Sequence, residues 1–145
     1  MKKALDIGNN VLEAASLAER AKILKQTKKL SKKERRKAAF IIHTASVATA
    51  AVGGGLAQLP GSDAAVIVPI QVTMVISLGK LFSHSLKDGV AKSIVLETTA
   101  TMIGRGISEF LVGWVPVAGN VLNATTAVAI TELLGWIVAN EFAEN

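Results

Sequence analysis

Between Ala38 and Leu59 the chain runs for 22 residues without a Lys, Arg, Asp or Glu, and the six positions before it, Lys32 to Lys37, hold five cations. A capping-box pattern, Ser31-Lys32-Lys33-Glu34, stands at the junction. Ser at the cap and Glu three positions later satisfy each other's backbone N–H, so a helix is predicted to start there. It runs through Ala38, Phe40 and Ile41 toward Gly53. At about 1.5 Å per residue the uncharged stretch reaches across a hydrocarbon core of roughly 30 Å. Ser46, Ala50 and Gly54 recur every four residues and form a ridge of small side chains suited to helix–helix packing.

The segment before the junction, Ala4 to about Leu30, has helical composition, with no Pro and only Gly8. Ala4, Val11, Ala15 and Ala18 share one face, and Leu17, Ala21 and Leu24 a neighbouring one. The resulting apolar stripe is broad and weak. It packs on the rest of the fold or on a copy of itself, or it lies on lipid.

Beyond the junction, Pro60-Gly61-Ser62-Asp63 is a turn, and Ser62 or Asp63 can cap a third helix from Ala64 to about Ser83. Pro69 either kinks that helix or marks its true start. Its uncharged part, Ala64–Gly79, is about 24 Å long if fully helical, short for a membrane span. Ser85-Leu86-Lys87-Asp88 again resembles a capping box and opens a fourth helix toward Leu111, on which Arg105 and Glu109 can pair. A break at Gly113–Asn120 precedes a final helix, about Val117 to Asn140. Glu132 lies in its apolar middle, where a carboxylate must face a partner, water or an interface. The fold predicted is all-α: a basic amphipathic N-terminal helix (1–37), then two Gly/Ala-rich helical hairpins (38–145).

Two stretches carry a likeness to known proteins. One is Leu59-Pro60-Gly61-Ser62-Asp63 with Ile70-Gln71-Val72-Thr73-Met74-Val75 and Gly79-Lys80-Leu81-Phe82. The other is Leu111-Val112-Gly113-Trp114-Val115-Pro116-Val117-Ala118-Gly119-Asn120 with Asn123-Ala124-Thr125-Thr126-Ala127 and Thr131-Glu132. Together they resemble a bacterial domain-of-unknown-function family, found as the C-terminal helical, membrane-associated module of Era-like GTPases and as small stand-alone proteins. The resemblance covers about residues 48–140 and rests on turns and helix faces. It implies an α-helical, membrane-linked module with no assigned chemistry, which as a stand-alone copy acts with a separate GTPase or with none. The chain itself has no GxxxxGK[ST] phosphate loop, so it carries no GTPase site of that kind.

Charge sharpens the picture. Residues 1–37 hold twelve Lys/Arg against four Asp/Glu, a net +8, while 38–145 are net −3. Five cations in the first turns of a helix oppose its dipole by about 0.3–1 kcal/mol each, so helix stability does not ask for them. An external anion accounts for them. Lys25, Lys28, Lys29, Lys32, Lys33, Arg35, Arg36 and Lys37 are the candidate contacts to an anionic membrane. The same segment lacks interleaved aromatics for base stacking, which disfavours nucleic acid. If Ala38–Leu59 spans, the positive-inside rule puts the N-terminus in the cytoplasm. A secretory signal is not expected, since the basic region before the apolar run is too long.

Composition removes other classes. There is no cysteine, which excludes disulfides and thiolate chemistry. His43 and His84 lie far apart with no ligand-spaced companion, so no metal and no cofactor is expected. Ser83, His84 and Asp88 could form a catalytic trio on paper, but no nucleophile elbow frames them. His84 is expected as a polar helix-end residue and Gly53–Gly55 as a loosened helix end. The expectation is a non-enzymatic, membrane-associated helical protein that self-associates through Ser46, Ala50 and Gly54. The alternatives are a soluble, cytoplasmic homo-oligomeric scaffold and, third, a pore-forming protein.

Overall fold

The computed structural model describes residues 17–56, 62–102 and 120–144. These form an all-helical fold: α1 (17–25), α2 (Lys32–Leu56), α3 (Ser62–Leu81), α4 (Asp88–Met102) and α5 (Asn120–Glu144). The turns expected at Pro60-Gly61 and Trp114–Gly119, the Arg105–Glu109 pair and the first part of the N-terminal helix lie outside the described residues.

α2 begins where its capping box predicts. Ser31 N donates to Glu34 Oε2 at 2.8 Å, and Glu34 N donates to Ser31 Oγ at 3.2 Å. α1, however, stops at residue 25, short of the expected Leu30, in a turn where Gln26 N donates to Ile23 O at 3.1 Å. The charge boundary at Lys37 falls inside α2, so it is a change of surface along one helix. α2 continues through Gly53–Gly55 to Leu56, past the loosening expected of the glycines.

α3 starts at Ser62 and runs through Pro69, which settles the choice left open by the proline. It stops in a Schellman arrangement: His84 N donates to Gly79 O at 2.7 Å and Ser83 N to Lys80 O at 3.3 Å, with Ser83 left-handed at φ 64°. A Cβ at Gly79 would sit 2.9 Å from both His84 O and Leu86 Cδ1, so glycine there lets the chain fold back closely. This stop holds His84–Lys87 outside helix. α4 therefore opens at Asp88, with Lys87 O accepting from Ala91 N at 3.0 Å, and not directly after Ser85.

The buried positions explain the layering. α2 buries Ala38, Ile42, Ala45, Ser46 and Thr49, and α3 buries Ile67, Gln71, Met74, Val75 and Leu78, each a single stripe at helical spacing. α5 buries Ala127, Ile130, Leu133, Leu134, Trp136, Val138 and Ala139, which wrap around it, as expected of a central helix. It packs most extensively on α2 and also touches α3 and α4. At the α2–α5 crossing a Cβ on Gly135 would lie 2.6 Å from Ile42 Cγ1, so only glycine permits that approach. Leu17, Ala21 and Leu30 of the basic segment join the same hydrophobic cluster. Among the described residues no helix is long and apolar enough to cross a membrane. α2, which holds the described part of the crossing expected at Ala38–Leu59, is not such a helix.

Candidate functional site

The eight cations expected to meet lipid divide into two groups. Lys25, Lys29 and Arg35 have partners within the chain. Lys25 Nζ lies over the Trp136 ring, 5.8 Å from its centroid, and Lys29 pairs with Glu144, both half-exposed. Arg35 Nη2 donates to Thr27 O at 2.5 Å and Leu30 O at 3.4 Å, and its Nε is buried without a partner. A guanidinium placed this way stitches the α1–α2 turn and is not free to reach outward. Lys28, Lys32, Lys33, Arg36 and Lys37 are exposed.

The exposed face of α2 continues past these cations as apolar surface. Lys33, Lys37, Phe40, Thr44, Val47 and Ala51 follow one another at steps of three and four, all exposed, with Arg36 and His43 beside them. Phe40 is 75% and Val47 70% exposed. Cations at one end and bare hydrocarbon at the other thus share one side of one helix.

Where that face meets α3, an open groove of about 530 Å3 is lined by Arg36, Lys37, Phe40 and Ile41 of α2 and Ser77, Lys80 and Leu81 of α3. None of these residues is acidic. The Ser77 hydroxyl donates back to Thr73 O at 2.9 Å. Glu34, the acidic residue nearest in sequence on α2, is occupied by its cap to Ser31 N.

Polar groups on α5 behave differently. Glu132 accepts from His43 Nδ1 at 2.5 Å through Oε1 and from Trp136 Nε1 at 3.2 Å through Oε2. A carboxylate only accepts, so Nδ1 is the protonated nitrogen in this contact. Asn140 donates to Leu24 O at 3.2 Å and Trp136 O at 2.8 Å, and its Oδ1 accepts from the Thr27 hydroxyl at 2.5 Å. Deeper in, Gln71 Nε2 donates to Thr131 Oγ1 at 3.1 Å. Two of these bonds, Trp136 to Glu132 and Asn140 to Trp136, close within α5, and the others tie it to α2, to α3 and to the end of α1 and its turn. Of the placements open to Glu132, a partner, water or an interface, the fold supplies a partner, His43, 89 positions away.

Sequence reasoning did not single out Asn140, Gln71 or Gly135. A signal existed for each, since each interrupts a run of apolar residues on a helix. Its meaning depended on which neighbour it faced.

The remaining candidates have structural positions. His84 stacks on Phe142 with centroids 5.0 Å apart, and its Nε2 lies 3.3 Å from Phe142 O. The ring ties the end of α3 to the end of α5, while Ser83 and Asp88 are exposed. Among the described residues no cluster of His, Asp and Glu could hold a metal ion. Of the small-residue ridge, Ser46 is 4% exposed and donates from Oγ to Ile42 O at 2.9 Å. Ala50 is half-buried, and the surroundings of Gly54 lie outside the described residues. At Ser46 the small side chain serves packing within the chain.

Comparison with protein-family profiles, with curated protein sequences and with solved structures finds no match for this chain.

Proposed function

We propose that this is a non-enzymatic, peripheral membrane-binding protein that lays the outer face of α2 on an anionic lipid surface. One observation carries the reading: exposed Lys32, Lys33, Arg36 and Lys37 lead directly into exposed Phe40 and Val47 on the same helix. Cations alone would describe a solvated face. Adjoining large apolar side chains left bare describe a surface built for an interface with both properties. Each basic residue near an anionic leaflet contributes about 1 kcal/mol. Inserting the Phe40 ring adds about 2 kcal/mol. The sum, about 6 kcal/mol, corresponds to a dissociation constant of tens of micromolar, a reversible attachment. The anionic cytoplasmic leaflet is the surface such a patch meets, which puts the N-terminal segment on the cytoplasmic side. The family resemblance adds two options to this reading, action with a separate GTPase or with none.

The test is flotation with phosphatidylglycerol–phosphatidylcholine vesicles against pure phosphatidylcholine vesicles. The chain should float with the first, not the second, and moderate salt should release it. Reversing Lys33, Arg36 and Lys37 to Glu should weaken binding by at least about a hundredfold. Arg35 is left intact, because its loss would disturb the turn. Equal binding to both vesicle types, or unchanged binding of the variant, overturns the reading.

The exposed Phe40 and Val47 also support a second reading, in which a second copy of the chain covers them. A sharp, concentration-dependent dimer in gel filtration that Phe40→Asp dissolves, together with no vesicle binding, would favour it.

A further inference from the structure

Resting on the membrane-binding reading, we infer that the α2–α3 groove binds a single anionic phospholipid. Arg36, Lys37 and Lys80 hold its phosphate, and Phe40, Ile41 and Leu81 carry the start of its acyl chain. Three cations arrive there from two helices, and among the described residues no acidic one lines the groove to neutralise them. Lys80 is the decisive member. It lies in the last turn of α3, outside the basic N-terminal segment, and the fold brings it to the same groove as Arg36 and Lys37. A free inorganic anion would leave the apolar floor without purpose, and a plain hydrocarbon would leave three charges without a counterion. A phosphate joined to hydrocarbon matches both halves of the lining.

Size and charge agree with that ligand. The groove, at about 530 Å3, falls within the roughly 300–1,000 Å3 of small-molecule sites. Being open, it lets the rest of the lipid continue into the bilayer on which α2 lies. A terminal phosphate carries about −1.5 to −2 charges at neutral pH, so a phosphomonoester headgroup suits three unopposed cations better than a zwitterionic one. Phosphatidic acid is the simplest lipid of that chemistry.

The experiment follows amide NMR shifts of the full chain during titration with dihexanoyl phosphatidic acid below its micelle concentration. Dihexanoyl phosphatidylcholine and inorganic phosphate are titrated in parallel, and vesicle flotation is run on the same sample. Saturable shifts confined to residues 36–41 and 77–81, with phosphatidic acid binding well ahead of both controls, are expected. Lys80→Met keeps an apolar stem and removes the charge, and it should weaken that binding about tenfold with the other amide shifts unchanged. Vesicle binding without saturable phosphatidic acid shifts overturns the groove and leaves the surface reading standing. Inorganic phosphate binding as tightly as the lipid overturns the acyl part, and phosphatidylcholine binding as tightly overturns the phosphate part; either sinks the proposal. Loss of both vesicle binding and the shifts removes the groove and the surface reading together.

Discussion

α2 and α5 are both 25 residues long and pack against each other, yet they treat their polar groups in opposite ways. α5 is buried around most of its circumference, and Glu132, Thr131 and Asn140 on it each bond to another helix or turn. α2 buries one stripe only. Its other side leaves Lys33, Arg36 and Lys37 exposed beside a nearly bare Phe40. A buried polar side chain without a partner costs about 1–3 kcal/mol, and among the described residues α5 has none. An exposed cation carries no such cost, so the packing of the core does not fix where it stands. α5 holds the fold together, and the outer face of α2 is available for binding.

The comparison breaks first at Trp136. It is 1% exposed, bonds Glu132 through Nε1 and lies beneath Lys25. Trp136→Ala should lose about 3–5 kcal/mol of stability, read from the denaturant midpoint. A loss below about 1 kcal/mol would mean that α5 is not the central element. Gly135→Val comes next. Its added carbons meet Ile42 at the α2–α5 crossing, at a cost of about 1–3 kcal/mol. Combining it with Ile42→Ala should return part of that loss in a double-mutant cycle, because the two changes occupy the same space. Independent, additive losses would show that the helices do not cross there. The smallest effect on stability belongs to Phe40→Ala, within about 0.5 kcal/mol, since the ring is mostly in solvent. The same change should lower vesicle affinity by about tenfold or more. Stability and binding therefore rank Trp136 and Phe40 in opposite orders, and a common order would dissolve the distinction between the two helices.

Legibility followed the range of the interaction. Ser31 and Glu34 are three residues apart, and their reciprocal bonds close within one helical turn, so the start of α2 could be read directly. The Ser85–Asp88 pattern has the same spacing and misled, because the Schellman stop at Ser83–His84 held the intervening residues out of helix. Lys25, Lys29 and Arg35 look identical in sequence to Lys32, Lys33 and Arg36. The first three are taken up by Trp136, Glu144 and the turn carbonyls. That division depends on how α1 and α2 are rotated against α5. Ser46 was legible as a small packing residue, but not that its packing would be spent inside the chain.

The amino-acid order by itself determined the all-helical class, the capped start of α2, the charge asymmetry and the absence of thiol chemistry, since each follows from composition or from contacts within a turn. Only the tertiary structure decided which cations Trp136, Glu144 and the turn carbonyls take up, that His43 would face Glu132, that Gly135 would admit Ile42, and that Lys80 would share a groove with Arg36 and Lys37. Those outcomes depend on the rotation of each helix about its axis and the place where two axes cross, and both are chosen by the packing of the whole core.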